Sequence, residues 1–224
     1  MQDDPLSLEV IIPAGPGERA WQNLIASLPK RWMICISAVE DRPLDLPENL
    51  RWQQGLPGRG AQLNRAAHSS QAHWLWFVHA DCLPTERAIR KIEQLSRSRD
   101  ACLAYLDLAF MSDGPALTTL NGWGANLRSR LLGLPYGDQG LCLPRHWFEK
   151  LGGFRTDLQR GEDLDFVVRA RSEGLALRRL PARITTSARR YRDHGWLKTS
   201  WHHQINAWRL IRAANSRLGK IEQQ

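Results

Sequence analysis

Acidic side chains and small polar turns fall just after the apolar runs of this 224-residue sequence. The sharpest case is Asp81, which closes the run His73-Trp74-Leu75-Trp76-Phe77-Val78 through His79-Ala80. A carboxylate fixed at the end of a buried strand can grip a divalent cation. Mg²⁺ or Mn²⁺ binds such places through few protein ligands, with phosphate oxygens completing the shell. A cation there offsets charge that gathers on a departing diphosphate. The plainer use of the same residues is a helix-capping aspartate and a histidine satisfied in the core. A second cluster, Glu162-Asp163-Leu164-Asp165, sets three carboxylates in the first turn of a helix. The helix dipole favours acids there without further reason. The alternative is a general base, since clustered like charges raise one another's pKa and a base must reach the attacking hydroxyl.

Two further segments bear on anions. Gly58-Arg59-Gly60-Ala61-Gln62-Leu63-Asn64 offers a loop, a cation and a helix start, where backbone N–H groups and the dipole welcome phosphate. An ordinary turn before a surface helix reads the same way. Arg183, Arg189, Arg190, Arg192 and Lys198 form a cationic stretch suited to a diphosphate, an anionic lipid or plain solvent. His194 beside Asp193 is a late candidate for a metal or phosphate contact.

These residues need a frame, and apolar periodicity supplies one. Strands are expected at 8–13, 31–38, 73–78 and 101–108, a short one at 50–52, and another at 141–143. Helices are expected from Trp21 to Leu28, from Gly58 to about Ser70, after the capping residue Thr85, over 117–132, over 145–151 and over 161–171. Continuous apolar strands alternating with helices predict an α/β fold with a mostly parallel sheet covered on both faces. In such sheets ligands bind beyond the carboxyl ends of the strands. Pro13-Ala14-Gly15, Ser37 and Asp81 all fall there. The expected organisation is one domain over 1–224, with a core at about 8–195. The segment 196–224 reads as an amphipathic basic helix striped by Trp201, Ile205, Trp208 and Ile211.

With 42% hydrophobic residues the chain is no disordered tract, and a net charge of +8 favours an anionic partner. No helix-turn-helix, zinc or RNA-recognition signature accompanies that charge, so nucleic acid is not the expected partner. Cys35, Cys82, Cys102 and Cys142 form no CxxC pair and read as reduced, buried thiols. No apolar run is long enough to span a bilayer, and no signal-peptide pattern opens the sequence, so a cytoplasmic protein is expected. The tail stripe packs on the domain or rests on an anionic membrane surface.

Taken in order, four stretches resemble the family 2 glycosyltransferases of the GT-A fold, most closely the arsenosugar-biosynthesis-type subgroup. They are Gly58 to Asn64; Phe77 to Asp81; Gly137-Asp138-Gln139-Gly140 through Leu151-Gly152-Gly153-Phe154 to Asp165; and Thr185-Thr186-Ser187-Ala188-Arg189-Arg190-Tyr191. The likeness covers about residues 8–205. It implies an inverting transfer from a nucleotide-diphosphate sugar to a hydroxyl acceptor, free or lipid-linked. Asp81, with His79 and His194, would hold Mg²⁺ or Mn²⁺. Asp163, beside Glu162, would be the base. Pro13, Ala14, Gly15, Ser37, Arg59, Gly60, Asn64 and Ala80 would line the donor side. Gly137, Asp138 and Gln139 would line the acceptor side, with Trp123 or Trp147 as a sugar platform. Two turns depart from the family pattern. Pro13-Ala14-Gly15-Pro16-Gly17-Glu18 replaces an Asn-Glu turn, and Ser37-Ala38-Val39-Glu40-Asp41 replaces the Asp-Gly-Ser turn that reads uracil. The donor base then differs, or Glu40 or Asp41 substitutes, or donor binding is lost and a catalytically degenerate binding protein remains.

Overall fold

The computed structural model describes residues 7–115, 117–158 and 160–189. The first half contributes β1 (Leu8–Ala14), α1 (Trp21–Ser27), β2 (Met33–Ala38), β3 (Leu50–Gln54), α2 (Arg59–His68), β4 (Trp74–Phe77), β5 (Cys82–Pro84) and α3 (Glu86–Ser96). The second contributes β6 (Leu103–Phe110), α4 (Thr118–Leu132), a single 3-10 turn at Gly137–Gln139, β7 (Cys142–Pro144), α5 (Arg145–Lys150), α6 (Glu162–Ser172) and β8 (Leu177–Thr186). All eight strands join one sheet in the order β3-β2-β1-β4-β7-β6-β8-β5.

Every residue of β1 is buried, as expected of a strand covered on both faces. Alternate side chains serve the two layers. Val10 and Ile12 join Trp21, Trp74, Trp76 and Ile92 on one side. Ile11 joins Leu75, Phe77, Phe148, Phe154 and Phe166 on the other. The polar exception on β1, Glu9, is 3% exposed and pairs with Arg51 of β3 at 2.7 Å. Thr85 caps α3 by accepting the N–H of Ala88, as anticipated. The four cysteines are free and buried.

The sheet departs from a purely parallel plan in two places. β7 runs antiparallel between β4 and β6, and the three-residue β5 runs antiparallel to β8. β8 has no counterpart among the strands expected from the sequence, where Pro181 and several arginines interrupt the apolar pattern. Along it buried Leu180, Ala182 and Ile184 alternate with exposed neighbours. Its pairing with β6 jumps from Leu106↔Leu180 to Asp107↔Arg183, so Pro181 falls in a bulge where no ladder N–H is required. No helix among the described residues is long and apolar enough to cross a membrane. The basic stripe after Leu197 lies outside the described residues, as do Arg190, Arg192, His194 and Lys198.

Candidate functional site

The site begins where β4 ends. The Val78 N–H still bonds to the Ile11 carbonyl (3.0 Å), after which the Cys82 N–H turns back to the His79 carbonyl (3.0 Å). This tight turn bunches His79, Asp81 and Cys82, whose candidate ligand atoms all lie within 4.8 Å of one another. Burial first, and then the charge of Asp81, push the Cys82 thiol well above its ordinary pKa. It therefore stays protonated and donates to the Asp138 carbonyl (3.8 Å). A neutral thiol is a poor ligand for a hard cation, whereas carboxylate oxygen suits Mg²⁺ or Mn²⁺. Asp81 and His79 are thus the fitting donors on this turn.

Opposite stands the start of α6. The carboxylate of Asp163 accepts the Gly137 N–H at 2.6 Å and the Leu164 N–H at 2.8 Å. Burial alone would raise its pKa. The Arg59 guanidinium, the Gly137 N–H and His79 outweigh burial and hold it below the ordinary carboxylate value. Gly137 is wedged between the two halves of the site: a Cβ there would sit 2.8 Å from His79 Nε2 and 3.0 Å from Asp163 Oδ2. Only hydrogen fits that space. Glu162, 2% exposed, is tied to Arg59 Nε at the start of α2.

The turn carrying Gly137 is braced by Gln139. Its Oε1 accepts from Ser129 Oγ (2.7 Å) and the Tyr136 N–H (3.1 Å), and its Nε2 donates to the Leu106 carbonyl (3.0 Å). Gln139 therefore anchors the turn from within the core. Asp138 is the middle residue of the same turn. Burial, and next the charge of Asp163, raise its carboxyl to about 6. Its Oδ1 is sealed from solvent with no hydrogen-bond partner.

The crevice past β1 and β2 is stitched by a residue that sequence reasoning passed over. Gln62 Nε2 donates to both the Ala14 carbonyl (2.8 Å) and the Ser37 carbonyl (2.7 Å), fixing the spacing of the two strand ends. A single amide inside the Gly58–Asn64 stretch gave no signal beyond its position. Pro13, Ala14 and Ala80 are buried and Gly15 is exposed, while Ser37 Oγ is sealed without a partner. The two unusual turns meet through Glu40, which accepts the Gly17 N–H (2.7 Å) and pairs with Arg19 (2.7 Å). Two residues expected on the donor side lie against the backbone of Phe154 and Arg155. Asn64 bonds both the N–H and the carbonyl of Phe154, and a Cβ on Gly60 would meet the Arg155 carbonyl at 2.7 Å. Trp123, 67% exposed, stands on the outer side of α4, whereas Trp147 carries Lys150 Nζ at 4.3 Å from its ring centre.

The fold has clear neighbours among solved structures. Residues 1–349 of S. aureus TarS superpose with a TM-score of 0.63 and 14% identity, covering 81% of this chain and 60% of that one. TarS 1–349 in complex with UDP-GlcNAc gives 0.62 and 15%, covering 81% and 58%. The mannosyltransferase PcManGT from Pyrobaculum calidifontis, in complex with GDP-Man and Mn²⁺, gives 0.57 and 14%, covering 80% and 56%. At these identities the likeness establishes an α/β fold of the GT-A-like glycosyltransferase kind. The chain spans about 60% of the length of these neighbours. No family model matches the chain, and no curated protein matches it.

Proposed function

We propose that this protein is an inverting glycosyltransferase that moves a sugar from a nucleotide diphosphate to an acceptor hydroxyl, assisted by Mg²⁺ or Mn²⁺. One observation carries the reading. The expected base and the expected cation turn, read from segments more than 80 residues apart, converge on Gly137, against which Asp163 and His79 both lie. The ligands of the structural neighbours, UDP-GlcNAc in one and GDP-Man with Mn²⁺ in another, support the donor class. The resemblance to the arsenosugar-biosynthesis-type subgroup rests on the stretches Gly58 to Asn64, Phe77 to Asp81, Gly137 to Asp165 and Thr185 to Tyr191.

In this reading Asp81 and His79 hold the cation, whose charge offsets that of the departing diphosphate. Arg59, kept in place by Glu162, faces the phosphates from the start of α2. Asp163 takes the acceptor's proton. The acceptor oxygen bonds to the anomeric carbon as the bond to the diphosphate oxygen breaks on the opposite face, which inverts the centre. A carboxylate held at a low pKa is ionised throughout the working range. It need act only as the hydroxyl turns acidic on bonding to carbon, when a weak base suffices.

Calorimetric titration of UDP and GDP, with and without Mn²⁺, tests the proposal. Binding that requires Mn²⁺ and disappears in Asp81→Ala is expected. Asp163→Asn should bind nucleotide normally while turnover of the sugar donor falls about a thousandfold. Absence of heat with either nucleotide would favour a relative that kept the fold without donor binding, a reading to which the altered turns at Pro13–Gly17 and Ser37–Asp41 point.

A further inference from the structure

We infer that the C-terminal segment of this chain, around Trp201, Ile205, Trp208 and Ile211, docks on the outer face of α4 and covers it. The contact is independent of the proposed chemistry.

α4 is built with its apolar side outward. Its buried side is small or polar: Thr118, Gly122, Ala125 and Ser129. Asn126 locks that orientation, accepting the Leu108 N–H of β6 (2.7 Å) and donating to the Leu108 carbonyl (2.9 Å). Gly122 lets the helix lie close, since a Cβ there would already stand 3.5 Å from the Leu108 carbonyl oxygen. The helix is therefore held against rolling, and among the described residues Leu120, Trp123, Leu127 and Leu131 are left 58%, 67%, 38% and 73% exposed. Their spacing of three or four residues makes one continuous stripe, about 15 Å long. An amphipathic helix ordinarily buries such a stripe, and a contiguous apolar patch left on a surface marks a place of contact.

The path of the chain decides the occupant. Asp113, just ahead of α4, accepts the Ser187 hydroxyl (2.5 Å) and the Ala188 N–H (2.7 Å). A Cβ on Gly114 would stand 2.6 Å from Ala188 Cβ. The described residues therefore end at Arg189 beside the approach to α4, with residues 190–224 still to follow. That segment carries a stripe of matching length, Trp201 to Ile211, again at spacings of three and four. Residues 189–196 reach about 25 Å when extended, more than the stripe is long, so either end of α4 is within range. A segment tethered at the edge of the patch meets it at an effective concentration on the order of millimolar, which a separate partner must outcompete.

Trypsin tests the contact in the full chain, because Lys198, Arg209 and Arg212 lie among the stripe residues, and mass spectrometry times each cut. In the wild type these sites should be protected. Leu127→Asp on α4 should speed their cleavage about tenfold or more, since proteolysis follows the population of the open form. Trp208→Asp on the segment itself should do the same, and it decides the matter if the α4 variant folds poorly. In a folded variant a core fragment ending near Arg189 persists while the segment is lost. Equal cleavage rates in the wild type and both variants would overturn the inference. With cleavage unchanged, phosphatidylglycerol vesicles that float the wild type but not Leu127→Asp would give the face to lipid instead. A wild-type dimer that becomes monomeric in Leu127→Asp, again with cleavage unchanged, would give it to a second copy of the chain.

Discussion

Gly137 shows how much of the site depends on one missing methyl group. With hydrogen at this position, the backbone N–H reaches Asp163 while the α-carbon lies against His79. In Gly137→Ala the new carbon must displace either the imidazole or the carboxylate. Misplacing a reacting group by this amount costs about a hundredfold in rate. Steady-state kinetics on the sugar donor should show that loss chiefly in kcat, with the melting temperature little changed. In the sequence Asp81 stands out as an acid closing an apolar run, whereas Asp163, which a helix start accommodates without further reason, and Gly137 acquire a site role only through the family resemblance. The sequence could not show that Gln139 and Asn64 turn inward to hold backbone, since an amide has the same donors and acceptors wherever it points. Nor could it show that Gln62 ties Ala14 to Ser37. That role depends on two strands lying side by side, which only the folded sheet reveals.

At the scale of elements, the strong helices were legible from their stripes and caps, and β1, β2 and β4 from their apolar runs. β8 was not, because a proline and repeated arginines imitate a loop. The fold accommodates both: Pro181 occupies the bulge, and Arg179 is drawn to Asp107 of β6 at 2.6 Å. Arg130 of α4 reaches the same carboxylate at 3.2 Å, so one acid joins two strands and a helix. Burial opposes ionisation of Asp107, but the two guanidiniums outweigh it and hold the carboxyl below its ordinary value. The folded pKa is depressed, so the stabilisation is complete above the unfolded carboxylate pKa and fades as pH falls through the folded one. Asp107→Asn should therefore cost about 1 kcal/mol near neutrality, a modest figure because both arginines are partly exposed. The gap between variant and wild type should close in acid below about pH 4. Melting curves recorded across pH would show it, and a gap independent of pH would count against the clamp.

For the whole molecule, the governing feature is the order of strands. Everything through α3 builds one flank and supplies His79 and Asp81. Everything from β6 onward builds the other and supplies Asp138 and Asp163. The flanks interlock rather than merely abut: β7 from the second enters beside β4, and β5 from the first closes on β8. The exposed link near Asp100 is all that joins them along the chain. Two polypeptides divided there would each carry half of the proposed site, His79 and Asp81 on one and Asp163 on the other, and mixing them should restore a turnover of the sugar donor that neither shows alone. The protein would then behave as a coincidence detector, reporting by its chemistry that two separate pieces have met.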